Sequence, residues 1–293
     1  MKYAEKHPQI FVVIGVIGVS LSSIFVRFSQ APSAVTAVWR LLWTVLLMTP
    51  MVLGKKPVRA EMKQANKKSV LLSAMSGMFL AIHFAVWFES LAHTTVASST
   101  TIVCTEVIWV ALGFCLVLKG KLSGKAIAAI AISFIGSVLI AWSDSGTGGS
   151  HLYGDVLALA AAVAAAVYVL LGRVVRQTLS TSVYTYLVYC TCLVCLLLIC
   201  LAQGQNPFIY GLSPVVVGLL LAVFSTLLGH SMFAWSLKYF TPAFVSASKL
   251  CEPVVAAILA GFLFGEVPVL LQVIGGVLIL GGVLWYSRME SKA

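Results

Sequence analysis

Long apolar stretches separated by short polar segments make up most of the chain, and charged residues rarely fall inside the stretches. A helix that crosses a bilayer needs about 20 mostly apolar residues, whereas strands of a membrane barrel are shorter and alternate apolar with polar positions. The pattern therefore predicts an all-α integral membrane protein with ten transmembrane helices. We number them spans 1 to 10, at residues 10–28, 34–53, 70–92, 96–118, 126–142, 156–175, 183–202, 214–237, 242–264 and 269–287.

The second half of the chain repeats the first half at a constant offset of 146 positions. The matched pairs are Ser90 and Ser236, Thr95 and Thr241, Ala97 and Ala243, Glu106 and Glu252, Ala111 and Ala257, and Gly136 and Gly282. Each copy holds five spans, so the second copy must enter the membrane from the opposite side. The sequence thus predicts two inverted five-helix repeats, residues 1–145 and 150–293, joined by a Gly/Ser-rich linker. Inverted repeats are typical of secondary transporters.

Basic residues are concentrated at every second connection between the predicted spans rather than in one patch. The net charge is +10, yet sixteen of the 19 Lys and Arg residues lie at alternate ends of the spans. An excess of Lys and Arg on cytoplasmic loops is the positive-inside rule. The distribution predicts that both termini are cytoplasmic and that the partner is the lipid bilayer, not nucleic acid. It also favours a solvated loop, rather than a short surface helix, at residues 54–69.

Enzyme and metal-site signatures are missing from the sequence. It contains no His-Glu-x-x-His, no Gly-x-Ser-x-Gly and no Walker lysine motif. The seven cysteines lie inside apolar spans, and the closest set, Cys190, Cys192 and Cys195, does not share one helix face. We interpret them as packing or lipid-facing thiols. The sequence therefore predicts that the protein is not an enzyme and has no catalytic residue, metal or cofactor.

Ionisable side chains inside the spans are candidates for function, because placing a charged side chain at the bilayer centre costs at least about 2.5 kcal/mol of free energy. The candidates for substrate binding or gating are Arg40 in span 2, His83 and Trp87 in span 3, Glu106 in span 4, His230 in span 8, and Lys249 and Glu252 in span 9. Helix packing is the competing interpretation for Trp87 and the two histidines.

Span 9 has the densest group of these residues. Lys249 and Glu252 are three positions apart, so they share a helix face and can pair. Pro253 removes a backbone hydrogen bond and predicts a bend beside that pair. Glu106 is the repeat mate of Glu252, and inverted repeats would set both carboxylates at similar depth. A structural ion pair between helices is the alternative to a substrate or gating site.

Several of these residues also belong to a recognisable pattern. The sequence Leu-Cys-Glu-Pro-Val at 250–254, with Gly265-Glu266 before a glycine-rich last span, resembles the EamA-type branch of the drug/metabolite transporter superfamily. His83, Trp87, the run 94–99 and Arg40 fit the same pattern. The resemblance implies ten helices in two inverted halves, a central cavity, and export or exchange of small metabolites, amino acids or drugs.

This sequence departs from the family pattern at two places. Glu106 is followed by valine where the family commonly has proline, so we expect no matching bend in span 4. Lys119-Gly120-Lys121 replaces the acidic residue that the second half has at Glu266.

The sequence as a whole predicts a multi-pass secondary transporter of the bacterial inner (plasma) membrane that works by alternating access. Its partner would be a small-molecule substrate, with proton coupling as one energy source and either a monomer or a homodimer as its assembly. Two alternatives stay open. One is a non-catalytic membrane scaffold or sensor. The other is a membrane-embedded lipid-modifying enzyme, which would need a nucleophile and base within hydrogen-bond reach.

Overall fold

The computed structural model describes residues 7–26, 28–94, 99, 102–144, 152–252, 254–255, 258–259, 262 and 269–290. Helices are the only regular secondary structure in that part of the chain. In chain order they are α1 (Pro8–Val26), α2 (Ser33–Leu53), α3 (Lys56–Gln64), α4 (Lys67–His93), α5 (Glu106–Leu116), α6 (Gly124–Asp144), α7 (Leu152–Val175), α8 (Thr181–Ala202), α9 (Leu212–Leu220), a π-helix called the π-segment (Leu221–His230), α10 (Ser231–Ser236), α11 (Pro242–Lys249) and α12 (Leu270–Glu290). The all-helical class predicted from the sequence is confirmed.

Seven helices of the described chain are long and apolar enough to cross a membrane. They correspond to predicted spans 1, 2, 3, 6, 7, 8 and 10. Spans 4 and 5 contain shorter apolar helices, Ile102–Leu116 and Gly124–Leu139. Seven of the 23 residues of predicted span 9, Pro253 among them, lie outside the described residues, as do Glu266 and most of the Gly/Ser-rich linker.

The basic segment between spans 2 and 3 is a helix, α3, so the prediction of a solvated loop was wrong. Pro57 lies in its first turn, where a missing backbone donor costs little. Glu61 of α3 contacts a distant part of the chain: its Oε1 accepts a hydrogen bond from the Ser180 backbone N at 2.6 Å. Ser180 is the N-cap residue of α8, so this contact connects α3 to the start of that helix.

The chain divides into two compact units that do not follow the two sequence halves. Unit 1 comprises Met1–Ala85 and Val167–Tyr239, and unit 2 comprises Val86–Ala166 and Phe240–Ala293. Each unit therefore contains residues from both halves of the sequence. The unit boundaries fall inside α4 and α7, so each of these helices has one part in unit 1 and the other part in unit 2.

In unit 1, two arginines hold the chain where α10 ends. Arg173 donates from Nη1 to the Leu237 carbonyl at 2.5 Å, and Arg176 donates from Nε to the Ala234 carbonyl at 2.9 Å. A cation next to the last carbonyls of a helix interacts favourably with the helix dipole. Burial lowers the pKa of the Arg176 guanidinium, and nearby Tyr184 opposes that effect.

In unit 2, α6 and α12 approach closely through glycine. A Cβ atom on Gly136 would lie 2.5 Å from the Gly275 carbonyl oxygen, and one on Gly282 would lie 2.2 Å from the Ser133 Oγ. Both distances are shorter than any side chain tolerates, so only glycine allows this packing. Gly136 and Gly282 occupy matching positions of the sequence repeat, and both lie at the contact between α6 and α12.

Candidate functional site

The central feature of unit 2 is a buried ion pair between Lys249 and Glu106. The Lys249 Nζ lies 2.8 Å from Oε1 and 3.1 Å from Oε2 of Glu106, and Ser246 donates its hydroxyl to the same Oε1 at 2.9 Å. The two charged side chains are only 16% and 9% exposed, respectively. Each carboxylate oxygen therefore has a donor, and the two charges compensate each other. The sequence predicted that Lys249 and Glu252 can pair, and the structure describes an ion pair between Lys249 and Glu106.

Glu106 begins α5 immediately after an interruption of the helix. Thr105 donates from its backbone N to the Ile102 carbonyl at 3.0 Å and from its hydroxyl to the same oxygen at 2.6 Å. These are contacts across three residues rather than four, and a hydroxyl that bonds back to the backbone disturbs an α-helix. The sequence predicted no proline bend in span 4, and it did not predict this interruption, where the Thr105 hydroxyl bonds back to the chain.

Lys249 ends α11 at a second interruption. The Leu250 and Cys251 backbone N atoms donate to the Ala247 and Ser248 carbonyls, at 3.1 and 3.2 Å, again across three residues. The bend that the sequence predicted at Pro253 lies outside the described residues. Cys251 and Thr105 are 146 positions apart, which is the repeat offset. Each charge of the ion pair thus adjoins an interruption, and the two interruptions are repeat mates.

Glu252 is half-buried and follows the second interruption directly. Glu252, Glu106 and Lys249 all lie within electrostatic range of the Cys104 thiol. The three charged candidates of spans 4 and 9 therefore lie in the same neighbourhood of unit 2.

In unit 1, Arg40 is almost completely buried, at 1% exposure. Its Nε donates to the Thr226 hydroxyl at 2.8 Å, and its guanidinium carbon lies 4.3 Å from the centre of the Phe84 ring. That distance is within the range of a cation–π interaction. Thr226 and Phe84 were not among the residues that the sequence singled out.

Phe84 also connects the two candidate histidines. Its ring centre lies 5.3 Å from that of His83 and 5.4 Å from that of His230, and the His230 contact is edge-to-face. Tyr168 adds a ring 6.1 Å from His230. Arg40, His83 and His230 are thus grouped around one phenylalanine. Trp87 belongs to unit 2, where its described ring contact is with Phe88 at 5.2 Å.

Comparison with known proteins gives three consistent results. The model of the EamA-like transporter family matches the chain twice, at residues 8–142 and 152–288. The uncharacterized transporter YxxF of Bacillus subtilis (strain 168) is 28% identical over 238 residues, which cover 78% of this chain and 73% of that protein. A solved crystal structure covers 98% of both chains with a TM-score of 0.79 at 15% identity, a likeness that concerns the fold alone.

Proposed function

Because the chain belongs to the EamA-like transporter family, we propose that this membrane transporter exports or exchanges a small metabolite, amino acid or drug-like solute by alternating access. In this proposal the two family matches are inverted repeats of five spans each, with both termini in the cytoplasm and the protein in the plasma membrane. The double match and the alternating basic loops support that arrangement.

The observation that carries the proposal is the Lys249–Glu106 pair at two repeat-related helix interruptions. In secondary transporters, discontinuous helices at corresponding positions of the two halves mark the substrate and ion sites. Interrupted helices also provide backbone groups that a solute can bind. Residues 105 and 251 have this relation, and the ion pair lies beside them.

The pair suits substrate exchange because both charges are already compensated. Removing one member of a buried pair strands the other charge, which is strongly unfavourable. A zwitterionic substrate that brings a cationic group to Glu106 and an anionic group to Lys249 replaces both partners, so neither charge is stranded. We therefore assign binding and gating to Glu106 and Lys249. Ser246 holds Glu106 during that exchange.

The test is transport by the purified protein in vesicles, with a panel of metabolites and with or without a pH gradient. The informative variant is the double neutralisation Glu106→Gln/Lys249→Met, because it removes the pair without stranding a charge. We expect it to fold and insert but to lose transport by at least about tenfold, which corresponds to 1.4 kcal/mol of lost stabilisation.

Glu89→Gln is the matched control for this experiment. Glu89 is a carboxylate 47% exposed, beside His93 at 3.1 Å, so the variant should keep wild-type transport. Wild-type rates in the double variant would make the Lys249–Glu106 pair purely structural. No movement of any solute by the wild-type protein would favour the scaffold or sensor interpretation instead.

A further inference from the structure

The π-segment is an uncommon feature of span 8. It runs for ten residues, Leu221–His230, between the ordinary helices α9 and α10. π-helices usually occur as single turns and are frequent at functional sites. A long one requires contacts that hold it, since an α-helix is the ordinary alternative. The described contacts of this segment show how it is held.

Side-chain hydroxyls close the π-segment at a spacing of five residues. Thr226 donates its hydroxyl to the Leu221 carbonyl at 3.3 Å, and Ser231 donates its hydroxyl to the Thr226 carbonyl at 3.2 Å. In the ordinary helix α8, Thr191 donates instead to the carbonyl four residues back, at 3.0 Å. The hydroxyls at 226 and 231 thus bridge the longer interval that defines a π-helix.

Residues from two neighbouring helices form hydrogen bonds with these same hydroxyls. Arg40 of α2 donates to the Thr226 hydroxyl, and the Tyr189 hydroxyl of α8 lies 3.0 Å from that of Ser231. Thr226 and Tyr189 have no exposed surface, so these contacts are protected. On a third side, α1 packs so tightly that a Cβ on Gly18 would lie 2.6 Å from the Phe224 carbonyl oxygen.

We propose that Arg40, Tyr189 and Thr226 are positioning residues that keep span 8 in the π form and thereby aim His230 at Phe84 and Tyr168. His230 is the last residue of the π-segment. Successive residues of an α-helix are turned by about 100°, so a one-residue change of register would swing His230 out of the aromatic group. The inference rests on the proposed function only because it treats His230 as part of the transport site.

The first experiment measures the helix and does not require transport. Thr226→Val keeps the side-chain shape and removes the hydroxyl, whereas Thr226→Ser keeps the hydroxyl. We expect amide hydrogen exchange across residues 221–231 to be about tenfold faster in Thr226→Val, the size expected when a buried hydrogen bond is lost. Thr226→Ser should stay near wild type. Equal exchange in Thr226→Val and in the control Thr191→Val would overturn the proposal.

The second experiment tests whether Thr226 acts through His230. In vesicles, we expect Thr226→Val to lower the maximal transport rate about tenfold and Thr226→Ser to restore it. In a His230→Gln background, Thr226→Val should add nothing, because the group that it positions is already gone. A merely structural role predicts additive losses, and additivity would overturn the assignment. If the wild-type protein moves no solute, the proposed function fails while the exchange experiment still decides the helix network.

Discussion

Each unit contains one buried cation among the candidate site residues, Arg40 in unit 1 and Lys249 in unit 2, and the two are held in different ways. In unit 2, Lys249 meets both oxygens of a carboxylate that Ser246 also holds. In unit 1, the described contacts of Arg40 are with the Thr226 hydroxyl and the Phe84 ring face. An ion pair can be exchanged against a charged solute, whereas a hydroxyl contact ties the guanidinium to one helix register. The sequence indicated both cations because they lie inside apolar spans, and from their partners we propose a binding role for Lys249 and a positioning role for Arg40.

The largest effect that this comparison implies is on unit 2. Glu106→Gln leaves Lys249 buried beside a neutral amide, so we expect the free energy of unfolding to fall by about 3–5 kcal/mol. The measurement is thermal or denaturant unfolding of the purified protein in detergent. Adding Lys249→Met should recover most of the loss, because no charge is then stranded. A Glu106→Gln protein as stable as wild type would show that the pair is not buried in the way described.

A smaller effect is expected in unit 1. Phe84→Leu keeps an apolar side chain but removes the ring face under Arg40 and the edge contact with His230. We expect a loss of about 1–2 kcal/mol in the free energy of unfolding. The matched control is Phe88→Leu, one turn further along α4 and equally buried. In an Arg40→Met background the cost of Phe84→Leu should shrink. An unchanged cost would mean that Arg40 and Phe84 do not interact energetically.

Hydropathy predicted the all-helical class of this architecture and the position of most of its long helices. The apolar runs correspond to seven spans of sufficient length, and the family matches fall on the same two halves of the chain. The compact units could not be predicted, since α4 and α7 each supply residues to both. That division depends on tertiary packing, which a hydropathy pattern does not record.

The site was predicted less completely, for identifiable physical reasons. The pairing of Lys249 with Glu106 joins residues far apart in sequence, so it depends on tertiary packing that the sequence does not show. The interruption at Thr105 was missed because the argument relied on proline, although a hydroxyl bonding back to the chain also disturbs a helix. The π-segment was missed because its apolar pattern fits an α-helix. The hydroxyls at 226 and 231 indicate a π-helix only once their hydrogen-bond partners are known.

The smallest expected effect on stability concerns Glu252, which sharpens the distinction inside unit 2. Glu252 is half-buried next to the Lys249–Glu106 pair, so neutralising it should change unfolding far less than Glu106→Gln does. We propose that Glu252 instead takes up a proton in one conformation of the transporter and releases it in the other. Glu252→Gln keeps the shape and removes that capacity. We expect folded, membrane-inserted Glu252→Gln to lose transport driven by a pH gradient while keeping substrate exchange between the two sides of the vesicle. Gradient-driven transport at the wild-type rate would remove Glu252 from the proton pathway, and loss of both activities would place it in substrate binding with Glu106.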